Sequence, residues 1–319
     1  MEQTKLIDVH AHFLTPEYRD MMARHGASLE DGFPLPEWNL QEHLDLMEQN
    51  HIQWTLLSLS TPQPYFQGFD AEATVMCHDL NEKMAEVKAR YPDKFGFQAC
   101  LPLPNVDAAI SEAIYALDVL SANGVKLASN SRGLYLGSPE LEPLMEELDK
   151  RHTICNIHPH RPEPIKEGIF SAGPVPLFEF LADTTRAVQN LISNGVLMRY
   201  PNITWIVPHC GSFLPNIYDR YIGISKVLIP QGLMKEVDVQ KSVQRLYFDL
   251  SGNPAPHLLD WLLTITLPDH ILYGSDFPFT PSVQIKNNLT ALLKMLDQPE
   301  LASYKSRILY RNAKILFHL

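Results

Sequence analysis

Cysteines are few in this sequence, and their spacing matches no paired-cysteine motif. The four of them, at positions 77, 100, 155 and 210 of 319 residues, form no CxxC pair and have no regular spacing. A disulfide framework in a small secreted domain is denser and more regularly spaced than this. We therefore expect free thiols and a reducing compartment, with the cytoplasm as the location.

Long apolar runs and an excess of basic residues are also missing. No apolar stretch approaches the roughly 18–20 residues of a membrane span, and no signal peptide is visible before the first strand-like segment. Lys and Arg total 26 against 37 Asp and Glu, a net charge of −11. Nucleic-acid binding needs a clustered basic surface, so we expect neither a nucleic-acid partner nor a membrane.

Short β-rich apolar runs alternate with segments of helical periodicity along the whole chain. Such alternation is typical of parallel βαβ units, and eight strands close a barrel of about this length. We predict an α/β fold, a (β/α)8 TIM barrel formed by one domain over residues 1–319. An open doubly wound sheet is the alternative, although no glycine-rich phosphate loop follows any predicted strand. The predicted strands are 5–10, 52–58, 96–101, 124–129, 153–158, 204–209, 246–250 and 271–275, and the predicted helices include 40–49, 71–90, 106–122, 141–150, 184–199 and 256–264.

Two segments rich in proline and glycine interrupt this alternation. They cover about 13–38 and 160–177, and each directly follows a strand that carries histidine. Long loops at the carboxyl ends of barrel strands commonly cover an active site. We expect both segments to be lid-like loops.

Histidines and one aspartate stand at the predicted carboxyl ends of four strands. His10 and His12 project from the same face of the first strand, about 7 Å apart. His158 ends the fifth strand, His209 ends the sixth, and Asp276 closely follows the eighth. In a parallel barrel these ends converge on one face. Imidazoles with a carboxylate suit a divalent metal such as zinc or manganese, so the sequence predicts a metal centre there.

Several motifs in this order resemble the amidohydrolase superfamily, amidohydrolase family 2. Within it, the sequence is similar to the branch of aminocarboxymuconate-semialdehyde decarboxylase, nearest to its 6-methylsalicylate decarboxylase-like members. The HxH at His10 and His12 is typical of the salicylate-like or muconate-semialdehyde-like members, because resorcylate-type members often carry glutamate at the position of His10. The segments that carry the resemblance are 8–12 (DVHAH), 157–159 (IHP), 207–211 (VPHCG), 273–278 (YGSDFP), 183–188 (DTTRAV), 197–202 (LMRYPN) and 133–139 (GLYLGSP).

The resemblance implies a distorted barrel with one divalent metal ion, Zn²⁺ as the first choice and Mn²⁺ as the second. It assigns His10, His12, His158 and Asp276 as metal ligands, and His209 together with Asp276 as catalytic residues. An arginine on the helix after the sixth strand binds substrate in similar decarboxylases and reaches a neighbouring subunit. Arg220, on a predicted helix over 214–224, is the matching residue and favours a homodimer or higher homo-oligomer. A surface or interface salt bridge is the alternative for this arginine.

Other side chains near the strand ends have weaker claims. Phe13 and Phe279, with Trp38, could contact an aromatic ring or could belong to the core. His160 could be a ligand, a substrate contact or a loop hydrogen-bonding residue. Lys126 occupies the strand on which binuclear relatives carry a bridging carboxylated lysine, but it lies too deep to bridge two metals. Cys210 has no activating neighbour and is expected to pack in the core.

The predicted activity is that of a carboxy-lyase. Its substrate would be a small aromatic or dienoic carboxylic acid with a hydroxyl or amino group beside the carboxylate, either salicylate-like or muconate-semialdehyde-like. A metal-dependent hydrolase of a lactone or cyclic amide on the same fold is the first alternative. A barrel that binds a metal or metabolite without catalysis is the second.

Overall fold

The computed structural model describes residues 4–163 and 173–319. Strands and helices alternate along most of this length. The strands are β1 (Leu6–His12), β2 (Ile52–Ser58), β3 (Phe95–Phe97), β4 (Val125–Ala128), β5 (Asn130–Ser131), β6 (Leu134–Tyr135), β7 (Ile154–His158), β8 (Thr204–Val207), β9 (Tyr247–Asp249) and β10 (Ile271–Leu272). The helices are α1 (Pro16–Arg24), α2 (Leu40–Gln49), α3 (Asp70–Arg90), α4 (Val106–Asp118), α5 (Glu142–Lys150), α6 (Glu179–Ser193), α7 (Val196–Arg199), α8 (Leu214–Leu228), α9 (Val239–Gln244), α10 (Leu258–Leu262), α11 (Ser282–Leu296) and α12 (Asn312–Leu316).

Eight of the strands form two parallel sheets, one in the order β1-β2-β3 and one in the order β10-β9-β8-β7-β4. Parallel bridges join the sheets at both edges, between Ala11 and Phe277 and between Ala99 and Val125. The remaining strands, β5 and β6, form an antiparallel hairpin. The predicted α/β class is confirmed, and the arrangement is consistent with a (β/α)8 barrel.

Strand β1 is longer than the sequence predicted and contains both of its histidines. All seven of its residues are buried, as expected for a parallel strand covered on both faces. The predicted strand stopped at His10, but His12 pairs with Ser58 of β2 and its N–H donates to Phe277 O at 2.6 Å. Hydrogen bonding on both sides therefore extends β1 to His12.

Six of the other strands are shorter than predicted, three of them by more than one residue at the carboxyl end. Strand β8, predicted over 204–209, ends at Val207, and His209 begins the 3₁₀ turn that follows. The segments 96–101 and 271–275 were expected, whereas β3 ends at Phe97 and β10 ends at Leu272. After β10 the backbone turns toward β1: Ser275 N–H donates to the Asp8 carboxylate at 3.0 Å and Asp276 N–H to His10 O at 2.7 Å. Local bonds of this kind replace the ladder and place Asp276 beside His10.

The expected lid-like loop over 13–38 is partly helical, which corrects the prediction. Helix α1 begins at Pro16 because the Thr15 side chain accepts a hydrogen bond from Tyr18 N–H and proline suits the first turn. Its apolar face is buried at Tyr18, Met21 and Met22. Of the second expected loop, 160–177, residues 164–172 lie outside the described part of the chain, and Val175–Leu177 form one 3₁₀ turn.

The helices also differ from their predicted bounds. The predicted helix 184–199 is two helices, α6 and α7, because Gly195 adopts a left-handed φ of 74° between them. Helix α8 runs to Leu228, beyond the predicted end at 224. The four cysteines are buried and free. Among the described residues, no helix combines the length and apolar character that crossing a membrane requires.

Candidate active site

Four predicted ligands meet at the carboxyl ends of the strands. His10 and His12 lie on β1, His158 ends β7, and Asp276 follows β10. One donor atom from each lies within 4.8 Å of those of the other three. Ligands on bonds of about 2.1 Å to one metal lie at similar spacings. The structure therefore brings residues separated by up to 266 positions into the dimensions of one coordination shell.

The outer ring nitrogens of two histidines are already occupied by acceptors. His10 Nδ1–H donates to Asp249 Oδ2 at 2.8 Å, and His158 Nδ1–H donates to the Pro159 carbonyl at 3.0 Å. In neutral imidazole the other nitrogen then keeps its lone pair. Both Nε2 atoms are thus available to a metal, an arrangement that is usual for metal-binding histidines.

Asp249, at the end of β9, supports this centre and was not predicted from the sequence. Its side chain is 1% exposed. Besides His10, it accepts hydrogen bonds from His209 N–H at 3.2 Å and from Ser251 Oγ at 2.6 Å. The rule that selected His158, a polar residue at the carboxyl end of a predicted strand, applies equally to Asp249. Because one carboxylate accepts hydrogen bonds from both the His10 ring and the His209 backbone, it couples the four-residue cluster to His209.

The Asp276 carboxylate is the anionic member of the cluster. Oδ1 lies 3.0 Å from His12 Nε2 and 3.6 Å from His10 Nε2, while Oδ2 lies 3.9 Å from His209 Nε2. Burial raises its pKa, but the hydrogen bonds from His12 and His209 and the charges of His10 and His12 outweigh burial and hold the pKa well below its ordinary value. Burial lowers the pKa of His12 to about 4. Burial lowers the pKa of His10, but the charges of Asp249 and Asp276 outweigh burial and raise that pKa to about 9. A divalent cation would take the place of the His10 proton beside the ionised carboxylate.

The backbone is strained where the catalytic candidates lie. His209, Cys210 and Asp276 have φ values of 55°, 54° and 64°, and Ser212 follows at 56°. Non-glycine residues in this left-handed region are uncommon and cluster at functional sites. Here the turns direct the side chains of His209 and Asp276 toward each other.

A cavity of about 250 Å³ opens over the four-residue cluster. Three members of the site, His158, His209 and Asp276, form its floor. Its walls are mostly apolar, with two hydroxyl groups. The wall residues are Phe33, Ser60, Thr61, Pro176, Phe180, Leu181 and Phe279.

The fold and the cluster agree with comparisons to known proteins. Residues 7–319 match the family model described as Amidohydrolase. The chain belongs to this amidohydrolase family. The 6-methylsalicylic acid decarboxylase of Penicillium expansum is 31% identical over 298 residues, covering 92% of this chain and 91% of that protein. The expected family and its decarboxylase branch are therefore confirmed.

Solved structures give the same result for the fold. The crystal structure of an amidohydrolase II is 36% identical, with a TM-score of 0.91 over 99% of this chain and 100% of that one. A dihydroxybenzoic acid decarboxylase from Polaromonas sp. JS666, solved with bound manganese and 2-nitroresorcinol, has a TM-score of 0.85 at 21% identity, covering 99% and 98% of the two chains. At that identity the second similarity shows the fold alone.

The amidohydrolase site does not gather every residue that the sequence singled out. Phe279 lines the cavity, and its ring lies 5.3 Å from that of His12. Phe13 is 4% exposed and packs on Trp38 in the core, outside the cavity lining. Arg220 is exposed on α8 and outside that lining too.

Lys126 and His160 lie near the amidohydrolase centre without joining the cluster. Lys126 donates to Ser60 O at 2.8 Å, and burial lowers its pKa to about 7. The His160 ring is fully buried, with Nδ1 3.0 Å from Arg161 O, and burial lowers its pKa to about 4. Cys210 is buried, which raises the pKa of its thiol. A hydrogen bond or burial in the core therefore accounts for each of the three residues, as the sequence suggested for Lys126 and Cys210.

Proposed function

We propose that this amidohydrolase is a metal-dependent, non-oxidative decarboxylase of small aromatic acids with a hydroxyl group beside the carboxylate. The observation that carries the proposal is the cluster of three imidazoles and one carboxylate on the floor of a cavity with ring-lined walls. The similarity to a 6-methylsalicylic acid decarboxylase over most of both chains supports the choice of reaction and substrate. We further propose one distorted (β/α)8 barrel domain over residues 1–319, located in the cytoplasm.

His10, His12, His158 and Asp276 would hold one divalent ion, for which we propose Zn²⁺ with Mn²⁺ as the alternative. When bound, such an ion supplies Lewis-acid polarisation of a carboxylate and an adjacent phenolic oxygen. Asp249 would keep His10 in the tautomer that offers Nε2. The Pro159 carbonyl would do the same for His158.

Asp276 and His209 would manage the protons of the reaction. The low pKa of Asp276 keeps its carboxylate ionised at rest and therefore open to the proton of the substrate hydroxyl. Because it is a weak base, it holds that proton only transiently. Once protonated, it is a strong acid and can deliver that proton to the ring carbon that bears the carboxylate. The carbon–carbon bond then breaks, carbon dioxide leaves, and the bonding pair restores the aromatic ring as a phenolate. His209, 3.9 Å from Asp276, would relay a solvent proton to the product oxygen.

The cavity walls would orient the ring and exclude water. Phe279 lies beside His12, and Phe33 packs edge-on against Phe279 at 5.7 Å. Aromatic rings prefer such edge-to-face contacts at these distances. The hydroxyls of Ser60 and Thr61 offer hydrogen bonds to one polar substituent. A benzoate with one hydroxyl and an alkyl group suits these walls.

Arg220 and Phe13 remain proposals as substrate-binding residues. Arg220 is exposed on α8, so it would reach a substrate carboxylate in the site of a neighbouring subunit, in a homodimer or larger homo-oligomer. Guanidinium–carboxylate pairing is bidentate and suits that task. Phe13 would act on substrate binding from outside the cavity lining, where its ring packs against Trp38.

A panel of acids and lactones tests the proposed function. Metal-loaded protein is incubated with salicylate, 6-methylsalicylate, 2,6-dihydroxybenzoate and an aromatic lactone, and both released carbon dioxide and ring opening are measured. We expect carbon dioxide and the matching phenol in equal amounts from at least one hydroxybenzoate. Faster opening of the lactone without carbon dioxide release would favour the hydrolase alternative and contradict the proposal.

A further inference from the structure

Arg132 lies at the tip of the β5–β6 hairpin and connects segments that are far apart in sequence. Its guanidinium donates five hydrogen bonds, to Glu30, Glu163 and the carbonyl of Tyr65. The bond to Glu163 is 2.8 Å and the shorter of the two to Tyr65 O is 3.0 Å. Planar, fixed donors let one arginine hold several acceptors in a defined geometry.

Each connected segment also forms part of the wall or floor of the substrate cavity. Glu30 is three residues before Phe33, and Tyr65 is four residues after Thr61, both of which line the cavity. Glu163 follows His158 of the floor by five positions. Asp31 O accepts from Val175 N–H at 3.0 Å, which ties the Glu30 segment to the neighbour of Pro176, another wall residue.

The hairpin is built to present this side chain and is itself anchored. Arg132 and Gly133 form its two-residue turn with φ of 52° and 88°, a turn that ordinarily favours asparagine or glycine at the first position. Arginine there carries backbone strain. At the base of the hairpin, Asn130 donates to the buried Asp183 at 2.7 Å. Arg132 is 19% exposed and Glu30 is 10% exposed, so the pair is largely removed from water.

We propose that Arg132 is a positioning residue for the substrate. It clamps the segments of Glu30, Tyr65 and Glu163 together, so that Phe33, Ser60 and Thr61 form a cavity wall before the acid binds. Preorganised walls lower the ordering cost of binding. Losing the clamp would therefore weaken substrate binding more than the chemical step, since Arg132 touches none of the four clustered residues. The effect on KM rests on the proposed function, whereas the effect on the segments does not.

The test compares Arg132→Met with Arg151→Met. Arg151 is similarly buried, at 23% exposed, and also pairs with two carboxylates, Asp118 and Glu147, but it precedes β7 at the opposite end of the strands. Hydrogen exchange of peptides covering 27–33 and 59–66 and the KM and kcat for the best hydroxybenzoate are measured on both variants. In Arg132→Met we expect faster exchange in both peptides and a KM raised on the order of tenfold, with kcat within about threefold. In Arg151→Met we expect neither change.

Two milder variants keep the test meaningful if Arg132→Met folds poorly. Arg132→Lys replaces a fork with a single point charge and should give an intermediate KM. Glu30→Gln should raise KM as well, and the double variant with Arg132→Met should be no worse than Arg132→Met alone, because both act through one contact.

The clamp would be overturned if hydrogen exchange in the peptides 27–33 and 59–66 were unchanged in Arg132→Met. It would also be overturned if exchange rose equally in Arg151→Met. Faster exchange with an unchanged KM would overturn its role in positioning substrate. Failure of the proposed function is a distinct outcome, in which wild-type protein releases no carbon dioxide from any acid. The hydrogen-exchange data alone would then decide whether Arg132 holds the three segments together.

Discussion

At the scale of single residues, the proposed metal centre depends on which nitrogen of each histidine faces inward. The His10 ring is buried and its Nδ1–H points at Asp249 Oδ2, 2.8 Å away. Once the ring is neutral, as it must be to bind a metal, its Nε2 carries the lone pair on the side of His12 and Asp276. A carboxylate that fixes a tautomer in this manner also raises the basicity of the ligand.

Asp249→Asn tests this dependence. The amide would present N–H where His10 Nδ1–H needs an acceptor, so the ring would favour the tautomer with the proton on Nε2. We expect metal affinity to fall by about 10–100-fold, measured by metal content after dialysis at fixed free metal. The exposed Asp269, paired with Arg307, provides the control variant Asp269→Asn. Equal metal content in the two variants would contradict the account.

A second pair of variants separates the proposed metal ligand Asp276 from its neighbour His209. Asp276→Asn removes the anion of the cluster, so we expect loss of both bound metal and carbon dioxide release. His209→Gln leaves the four-residue cluster intact, so we expect retained metal and a rate lower by about 100-fold or more, the usual scale for losing a proton-transfer group. His257→Gln, at an exposed position, is the control. Full activity in His209→Gln would rule out its role in proton transfer.

At the scale of elements, the hairpin β5–β6 and the segment after it approach α6 so closely that a side chain is excluded. Gly137 has φ of 91°, and a Cβ there would lie 2.8 Å from the backbone of Asn190. We expect Gly137→Ala to lower the free energy of unfolding by more than about 2 kcal/mol, because strain and overlap act together. Denaturant unfolding provides the measurement.

The matched control for that prediction is Gly223→Ala. Gly223 lies inside α8, and a Cβ added there would have no atom within 4 Å. Alanine should raise the free energy of unfolding there by about 0.5–1 kcal/mol through helix propensity. Similar values for the two variants would show that the approach of the hairpin to α6 is not a constraint.

Helix α2 carries a buried histidine, His43, whose ring is neutral. His43 is fully buried, accepts a hydrogen bond from Trp38 Nε1 at 3.0 Å and contacts the ring of Phe277. Burial lowers its pKa to about 3. The unfolded chain binds a proton at this histidine below about pH 6.5, whereas the folded chain does not, so His43 reduces stability as pH falls from 6.5 toward 3.

His43→Phe should remove this pH dependence. The difference in free energy of unfolding, variant minus wild type, should shift in favour of the variant by at most about 1.4 kcal/mol for each pH unit below 6.5. Urea unfolding at pH 7, 6, 5 and 4 measures it, and the lost bond to Trp38 contributes only a constant offset. A difference independent of pH would contradict the burial of a neutral His43.

At the scale of the whole molecule, the sequence predicted the site residues that follow one rule, which is a polar side chain at or just after the carboxyl end of a strand. His10, His12, His158 and Asp276 each stand at or after the carboxyl end of a strand, so the topology alone brings them together. The same rule would have selected Asp249 had it been applied to every strand. Phe33, in the loop after α1, and Phe180, in the first turn of α6, follow no such rule. Their place in the cavity wall depends on how those segments pack over the strand ends.

Contacts between distant loops were the hardest features to predict. Arg132 bonds to residues 102, 67 and 31 positions away, and no local pattern encodes such pairings. Helix α1 was missed for a different reason: its proline and the later glycines suggested a loop, although Thr15-Pro16 is a helix start. Composition describes a segment, whereas local caps and tertiary hydrogen bonds decide where its helices and strands begin and end.

The central claim is that one divalent ion, held by four residues from three strand ends, is required for decarboxylation. The most direct measurement is a titration of chelator-treated protein with Zn²⁺ or Mn²⁺, following bound metal and carbon dioxide from a hydroxybenzoate together. We predict that activity rises in proportion to bound metal and stops rising at one ion per chain, and that His158→Gln neither binds the ion tightly nor regains activity. Full carbon dioxide release from metal-free protein, or from His158→Gln without bound metal, would contradict the account.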